Sequence, residues 1–245
     1  MVRIERPSGA VLLLTIDRPE RRNAVDLATL TALAAAVDGV GSPGSEVRVV
    51  VLTGAPPAFC AGADLTGAES EEFQTALGSA LRALAECPVP VIAAIDGPAL
   101  GAGTQLVSVC DLRVATGRST FGIPAARLGL AVDQWTVDRM VAEFGVGVAR
   151  AMLIGAEVFD AQRLFSVGAV HRVGGLVEAL EWADQVAVLA PLTMATHKAM
   201  LAEAARAVPP SEVTETMRRA VWSSSDAHEG RMAFLEKRPA RFTGG

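Results

Sequence analysis

The sequence has few cysteines and no long apolar run. The three cysteines, Cys60, Cys87 and Cys110, are odd in number, and no two have the Cys-x-x-Cys spacing. A disulfide framework or a zinc site is therefore not expected. No apolar segment approaches the roughly 20 residues of a membrane-spanning helix, and the first residues lack the apolar core of a signal peptide. These absences predict a cytoplasmic protein without a membrane span.

Positive charge and aromatic residues are also scarce. Lys and Arg number 22 against 27 Asp and Glu, which gives a net charge of -5, and aromatic residues make up 4% of the chain. Basic residues form no stripe with interleaved aromatic residues, which is the pattern typical of nucleic-acid-binding surfaces. Nucleic acid is therefore not an expected partner, whereas an anionic small molecule can bind where a few cations gather.

Apolar residues, by contrast, fill 51% of the 245 positions, and charged residues of both signs fill 20%. This composition is typical of a soluble α/β protein with a large core. Continuous apolar runs alternate with alanine- and leucine-rich stretches, which predicts parallel strands joined by right-handed helical crossovers. The predicted strands are Ala10–Ile16, Val47–Thr53, Val89–Ile95 and Leu112–Ala115, and the helices between them are Asp26–Val40, Glu69–Ala85 and Gly101–Cys110.

After Asp133 the composition predicts mostly helices. We therefore expect an N-terminal α/β core, residues 1–172, and a C-terminal helical region, residues 173–245. The predicted helices are Trp135–Phe144, Val146–Ile154, Asp160–Ser166, Leu176–Leu189, Leu192–Ala207 and Ser211–Asp226.

Two loops of small residues follow predicted strands. The first loop is Ala58–Leu65. The second loop, Asp96–Gln105, leads into a helix N-terminus, where free N–H groups favour a negatively charged oxygen. Its glycine spacing fits neither the dinucleotide motif nor the phosphate loop. Each loop by itself could be an ordinary tight turn.

The order of these motifs carries a family resemblance. Arg18-Pro19 and Asn23-Ala24 come first, then Ala-Gly-Ala-Asp in the first loop, Gly-Pro-Ala-x-Gly-Ala-Gly in the second, Phe-Gly-x-Pro, and a terminal Glu-Lys-Arg. Over essentially the whole chain this pattern resembles the crotonase (enoyl-CoA hydratase/isomerase) superfamily. The resemblance implies an α/β spiral of ββα units with C-terminal helices that build a trimer or a dimer of trimers. It also implies coenzyme A as part of the ligand and no separate cofactor.

The same resemblance assigns site residues. The backbone amides of Ala63 and Ala102 would hold the thioester oxygen of an acyl-CoA in an oxyanion hole, and such donors are typically worth about 10²–10³ in rate. Arg21 and Arg22 have an alternative interpretation as exposed turn residues. The positions that match family contacts to coenzyme A are Arg21, Arg22, Ala61, Asp64, Leu65, Phe234 and Lys237.

Both glutamates that hydratases of this family use are replaced. The matching positions hold Gln105 and Ala125. Glutamine cannot exchange a proton at neutral pH and alanine has no polar group, and losing one acid–base group typically lowers a rate by about 10²–10⁴. The sequence therefore predicts negligible hydratase activity.

Asp133 is the acidic candidate that remains. It matches the position of an active aspartate in some isomerases and a dehalogenase of the family, but its place before a predicted helix also suits an N-cap. Trp135 is expected to pack in the core, or, with the small Ala125, to widen an apolar acyl pocket. Cys60 and the three histidines are interpreted as structural.

Two functions follow from these residues. One is an acyl-CoA binding or carrier protein in fatty acid metabolism that does not hydrate its ligand. The other is an isomerase-type enzyme that uses Asp133 as a base. Whether the protein is an enzyme at all stays open at this point.

Overall fold

The computed structural model describes residues 1–42, 44–204, 219 and 222–240. Its strands are β1 (Val2–Ser8), β2 (Val11–Ile16), β3 (Val49–Gly54), β4 (Val91–Ile95), β5 (Pro98–Leu100), β6 (Leu112–Ala115), β7 (Thr120–Gly122), β8 (Phe159–Asp160) and β9 (Arg172–Val173). Its α-helices are α1 (Leu27–Val37), α2 (Glu71–Glu86), α3 (Ala102–Ser108), α4 (Gln134–Phe144), α5 (Val146–Leu153), α6 (Ala161–Ser166), α7 (Leu176–Ala187), α8 (Pro191–Ala204) and α9 (Ser225–Leu235).

The main sheet has six strands in the order β1-β2-β3-β4-β6-β9. From β2 onward all neighbours are parallel, as the continuous apolar runs predicted. Strand β1 was not predicted. It pairs antiparallel with β2 at the edge of the sheet, where charged residues and Pro7 are tolerated because one side of the strand needs no partner.

Apolar side chains cover both faces of this sheet. On one face, β2, β3 and β4 pack with α1, α2 and α3 in the larger core. On the other face lies α7, whose alanines at positions 179 and 183 are fully buried against Val49, Val51 and Ile92. Their small size lets the helix approach the sheet closely. Because helices cover both faces of the main sheet, the carboxyl ends of β3 and β4 are held in fixed positions.

A second, three-stranded sheet in the order β5-β7-β8 was also not predicted. Its strands have two or three residues each, too few for a periodic pattern. Strand β5 runs directly into α3, so this small sheet sets the direction in which the second loop leaves β4.

The remaining expectations from the sequence have different outcomes. The predicted helices from residue 26 to residue 189 are present with ends shifted by a few residues, and Asp26 caps α1 by accepting the Thr29 N–H at 2.8 Å. Of the predicted helix Ser211–Asp226, residues 211–218, 220 and 221 lie outside the described residues. Its predicted end is wrong, because the chain turns at Ser223 and Ser224 and α9, which was not predicted, begins at Ser225. The division of the chain into an α/β core and a C-terminal helical region near residue 172 stays a prediction. Among the described helices, none combines the length and the hydrophobicity of a membrane span.

His171, directly before β9, forms a hydrogen bond with the neighbouring strand β6, in keeping with its predicted structural role. Its Nδ1 accepts a hydrogen bond from the Arg113 amide at 3.0 Å, so this nitrogen is unprotonated. Burial, assisted by the nearby positive charge of Arg113, lowers the pKa of the imidazole to about 4.

The low pKa of His171 predicts a pH-dependent stability. Between about pH 6.5 and pH 4 the unfolded chain carries a proton on His171 that the folded chain does not, so stability falls as the pH falls through this window. His171→Asn keeps an acceptor oxygen for the Arg113 amide and does not titrate. We expect a shallower loss of unfolding free energy in this variant, measured by denaturant titration across the window. Equal slopes for the two proteins would show that His171 carries none of the effect.

Candidate functional site

The first loop is held against its neighbours by isolated parallel bridges. Val25 pairs with Ala63 and Cys60 pairs with Ala99. In the first bridge, the Val25 N–H donates to Gly62 O at 2.9 Å, and the N–H of Asp64 donates to Val25 O at 2.8 Å. Parallel pairing of this kind uses the groups that flank Ala63. The N–H of Ala63 is therefore turned away from Val25 and donates in no hydrogen bond among the described residues.

The second loop changes direction at Gly101. This residue has φ 53° and ψ -118°, a conformation that glycine adopts without steric cost. Its N–H donates to Gly122 O of β7 at 2.8 Å, so the small sheet holds the turn in place. Helix α3 begins at the next residue, Ala102, which puts the Ala102 N–H among the helix N-terminal groups that lack an intrahelical acceptor.

The two loops are in direct backbone contact. A Cβ placed on Gly101 would lie 3.7 Å from the Cα of Gly62, and one placed on Gly103 would lie only 2.2 Å from Cys60 O. The Leu100 N–H donates to the same Cys60 oxygen at 2.9 Å. The residues that precede the two predicted amide donors, Gly62 and Gly101, thus lie side by side.

The resemblance places Gln105 at the position of the first hydratase glutamate, and the structure shows that its side chain is buried in α3. Its side-chain oxygen accepts a hydrogen bond from the Thr136 hydroxyl of α4 at 3.4 Å. Ala125, in the position of the second, lies in a 3-10 helix, Pro124–Leu128, and is partly buried. Neither side chain can carry a proton to or from a ligand at neutral pH.

Asp133 is the N-cap of α4, as one of its two interpretations predicted. One carboxylate oxygen, Oδ1, accepts the Thr136 N–H at 2.9 Å. This bond orients the carboxylate next to the residue that contacts Gln105. A capping role leaves the second oxygen available for chemistry, so a catalytic role for Asp133 stays a prediction.

Trp135 packs, partly buried, against the larger core. The guanidinium of Arg82, on α2, lies 5.6 Å from the centroid of its ring, within the range of a cation–π interaction. The side chain thus bridges α2 and α4, one residue before Thr136, which is buried and contacts Gln105. Packing against the core and lining an acyl pocket are compatible at this position.

The predicted coenzyme A residues fall into two groups. Arg21 and Arg22 are exposed in the turn after β2, and Arg22 O accepts the Ala61 N–H at 3.0 Å, which joins this turn to the first loop. Phe234, at the end of α9, is 60% exposed, and Lys237 follows it on the surface. Nothing in the described contacts joins Phe234 and Lys237 to the first group, so a shared ligand surface stays a prediction.

Asp64 has a structural contact that its sequence position did not reveal. Its carboxylate pairs with the Arg18 guanidinium at 3.3 Å, and Arg18 also pairs with Asp26 at 3.1 Å. The negative charge of Asp64 is thereby balanced by a side chain that is only 15% exposed. This pairing fixes the end of the first loop and lowers its repulsion of an anionic ligand.

Asn23 holds the first loop in place, a role that its place in the sequence motif did not reveal. The residue is fully buried. Its Nδ2 donates to Ala55 O and to Ala58 O, each at 2.6 Å, and its Oδ1 accepts the Arg18 N–H at 2.9 Å. The side chain thus binds both sides of the turn that begins the first loop. The available signal was an asparagine seven residues after the end of a strand, in a turn where its side chain can bind backbone groups.

Cys60 is fully buried between the loops, as predicted for a small apolar side chain. Burial raises the pKa of its thiol to about 12, so the reactive thiolate is not populated near neutral pH. The described geometry supports a packing role.

Comparison with known proteins is consistent with this arrangement. A family model described as enoyl-CoA hydratase/isomerase matches residues 6–245. The chain therefore belongs to the enoyl-CoA hydratase/isomerase family, within the crotonase superfamily.

Individual relatives cover the whole chain. A probable enoyl-CoA hydratase from Mycobacterium leprae is 39% identical over 247 residues, which is 100% of both chains. The structure of carnitinyl-CoA hydratase from Mycobacterium avium has a TM-score of 0.85 at 31% identity and covers 100% of this chain and 98% of that one. Methylmalonyl-CoA decarboxylase has a TM-score of 0.90 at 25% identity, with coverage of 100% and 98%. These neighbours confirm the predicted crotonase fold.

The contact between the loops gives a direct prediction. Gly103→Ala places a Cβ where Cys60 O now lies, so one of the two loops must move. The amides of Ala63 and Ala102 then no longer keep their positions relative to each other. We expect acyl-CoA affinity, measured by calorimetry, to fall by roughly tenfold or more. The matched control is Gly117→Ala, since no heavy atom lies within 4 Å of a Cβ there. Wild-type affinity in a folded Gly103→Ala protein would refute the importance of the contact.

Proposed function

We propose that this protein binds fatty acyl-CoA thioesters through the backbone amides of Ala63 and Ala102 and releases them without adding water. It would then serve fatty acid metabolism as a carrier or binding protein. The observation that carries the proposal is the pair of replaced glutamates, Gln105 and Ala125, beside a loop contact that is otherwise intact.

Carbonyl binding is supported by the geometry of the two loops. The Ala63 N–H is turned out of its bridge, the Ala102 N–H begins a helix, and the preceding glycines touch. Such amides need no reorganisation when a ligand arrives, and they stabilise the negative charge that develops on a polarised thioester oxygen. Polarisation alone does not complete a reaction of the acyl chain.

Hydration requires two further groups. A base must activate water, and an acid must deliver a proton to the carbon next to the carbonyl. The amide of Gln105 is held by the Thr136 hydroxyl and does not titrate, and Ala125 has only a methyl group. The site therefore has the means to bind and polarise a thioester and lacks the means to hydrate it.

The apolar residues predicted to surround the acyl chain support a fatty acyl ligand. Ala125 is smaller than a glutamate, and the partly buried Trp135 of α4 packs against the same apolar core as Ala125. Both changes make the surroundings of the acyl chain more apolar. Each buried methylene contributes about 0.8 kcal/mol to binding, which favours longer chains. Coenzyme A itself would be held by Arg21 and Arg22 near the first loop, with Phe234 and Lys237 as further proposed contacts.

The second candidate function is double-bond isomerisation with Asp133 as base. It is favoured by the hydrogen bond that orients the Asp133 carboxylate at the start of α4, because the same residue, Thr136, also contacts Gln105. A single carboxylate can move a proton between two carbons of an enoyl chain, because isomerisation needs no water.

One experiment separates these functions. We expect 2-enoyl- and 3-enoyl-CoA, incubated with the protein in heavy water, to emerge unchanged by mass spectrometry, while thermal stabilisation shows that they bind. Deuterium incorporation without hydration would establish the isomerase, and Asp133→Asn should then abolish the exchange. Hydration at the rate of an active family hydratase would overturn the proposal.

The double substitution of Gln105 and Ala125 by glutamate is the matched control. It returns the two acid–base groups to the site, so its hydration rate should exceed that of the wild type by about 10²-fold or more. This result would show that the assay and the binding mode are competent for hydration.

A further inference from the structure

Three charged side chains meet at the C-terminal end of α3. The Arg113 Nη2 lies 2.8 Å from Glu143 Oε2, and the Arg139 Nη2 lies 3.1 Å from Glu143 Oε1. We call Arg113, Arg139 and Glu143 the charged cluster. The side chains of Arg113 and Arg139 are 3% and 15% exposed, so the cluster is largely withdrawn from water.

The charged cluster binds backbone carbonyl groups at the C-terminal end of α3 and directly after it. Arg113 Nη1 donates to Cys110 O at 3.0 Å, and Arg139 Nη2 donates to Ser108 O at 3.0 Å. The last carbonyl groups of a helix have no partner within the helix, and positive charge is favourable there. Two guanidinium groups, one from β6 and one from α4, therefore fix this end of α3.

Glu143 determines where these two guanidinium groups stand. Each of its carboxylate oxygens binds one of them, so a single side chain sets the distance between β6 and α4 behind α3. A partly buried guanidinium that loses its carboxylate is strongly unfavourable. Without the Glu143 charge, Arg113 and Arg139 would separate or turn toward water, and the carbonyl groups of Ser108 and Cys110 would lose their donors.

The two ends of α3 are mechanically linked. The helix has only seven residues, so it spans about 10 Å, and near its beginning Gly103 lies against Cys60 O with no space for a Cβ. A tilt caused at Ser108 cannot be absorbed by free space at Gly103. It must displace the first loop or the side chain of Gln105, which itself contacts Thr136 of α4.

From these contacts we infer that Glu143 is a positioning residue for the thioester site: through Arg113 and Arg139 it sets how strongly the bound thioester carbonyl is polarised. The inference rests on the proposed function, because it concerns the same carbonyl. The described polar contacts of Glu143 are with Arg113 and Arg139 and not with the two loops, so it acts through the orientation of α3.

The test measures the carbonyl itself. Fatty acyl-CoA with a ¹³C-labelled thioester carbonyl is bound at saturation to wild-type protein, and isotope-edited infrared spectroscopy records the stretching band. We expect the bound band at lower frequency than the free band, because hydrogen bonds weaken the C=O bond. In Glu143→Gln, which keeps the shape and removes the charge, the band should move back toward the free position.

A stability-matched control separates positioning from mere folding. Leu33 is fully buried in α1, a helix that packs on α2, β1 and β2. Leu33→Ala should lower the free energy of unfolding while leaving the band of bound ligand at the wild-type position. Should Glu143→Gln fail to fold, Arg139→Lys takes its place, since an ammonium group keeps the charge but cannot span both Ser108 O and Glu143.

The outcomes distinguish the two levels of the proposal. A wild-type band equal to that of free ligand, or no binding, would refute the proposed carbonyl site. A wild-type shift that persists in Glu143→Gln, or in Arg139→Lys where that variant is used, would refute the positioning role alone. A shift lost in the cluster variant and kept in Leu33→Ala supports both.

Discussion

The contact between Cys60 O and Gly103 is the constraint on which the site depends. It joins the loop after β3 to the loop after β4 with no space for a single additional carbon. Parallel pairing in the main sheet brings the carboxyl ends of these strands to one edge, and the short bridges at Cys60 and Val25 then bring the loops together. Two amide groups are thereby placed by backbone alone, which makes their position insensitive to side-chain identity.

Side chains supply the support for this backbone arrangement. Asn23 and Arg18 bind the first loop from one side, and the guanidinium groups of Arg113 and Arg139 bind the far end of α3 from the other. All four are polar and largely withdrawn from solvent, and each binds backbone carbonyl groups or a carboxylate. Buried polar contacts of this kind rigidify a structure, and here the Nη groups of Arg113 and Arg139 make them while their Nε atoms have no hydrogen-bond partner among the described residues.

The proposed function places the difference from a hydratase at positions that do not affect this scaffold. Gln105 replaces a carboxylate by an amide of nearly the same shape, and its hydrogen bond to Thr136 keeps it in place. Ala125 removes a side chain from a 3-10 turn whose backbone is unaffected. Family membership, fold and loop geometry are thus compatible with the proposed loss of proton transfer.

The sequence was informative where local patterns decide the structure. Apolar runs located β2, β3 and β4, and Asp133 and Asp26 were recognisable as caps because an acidic residue preceded a helical stretch. Strand β1 and the small second sheet escaped because an exposed edge and strands of two or three residues leave no clear period. The positioning contacts escaped for another reason, since Glu143 and Arg113 lie 30 residues apart and only the fold brings them together.

Binding of a matched pair of ligands tests the carbonyl site most directly. A fatty acyl-CoA thioester and the thioether analogue, in which two hydrogens replace the carbonyl oxygen, share the coenzyme A and the chain. Two backbone hydrogen bonds of about 1 kcal/mol each should make the thioester bind roughly 10–30-fold more tightly in calorimetry. Equal affinities would show that the Ala63 and Ala102 amides do not hold the carbonyl oxygen.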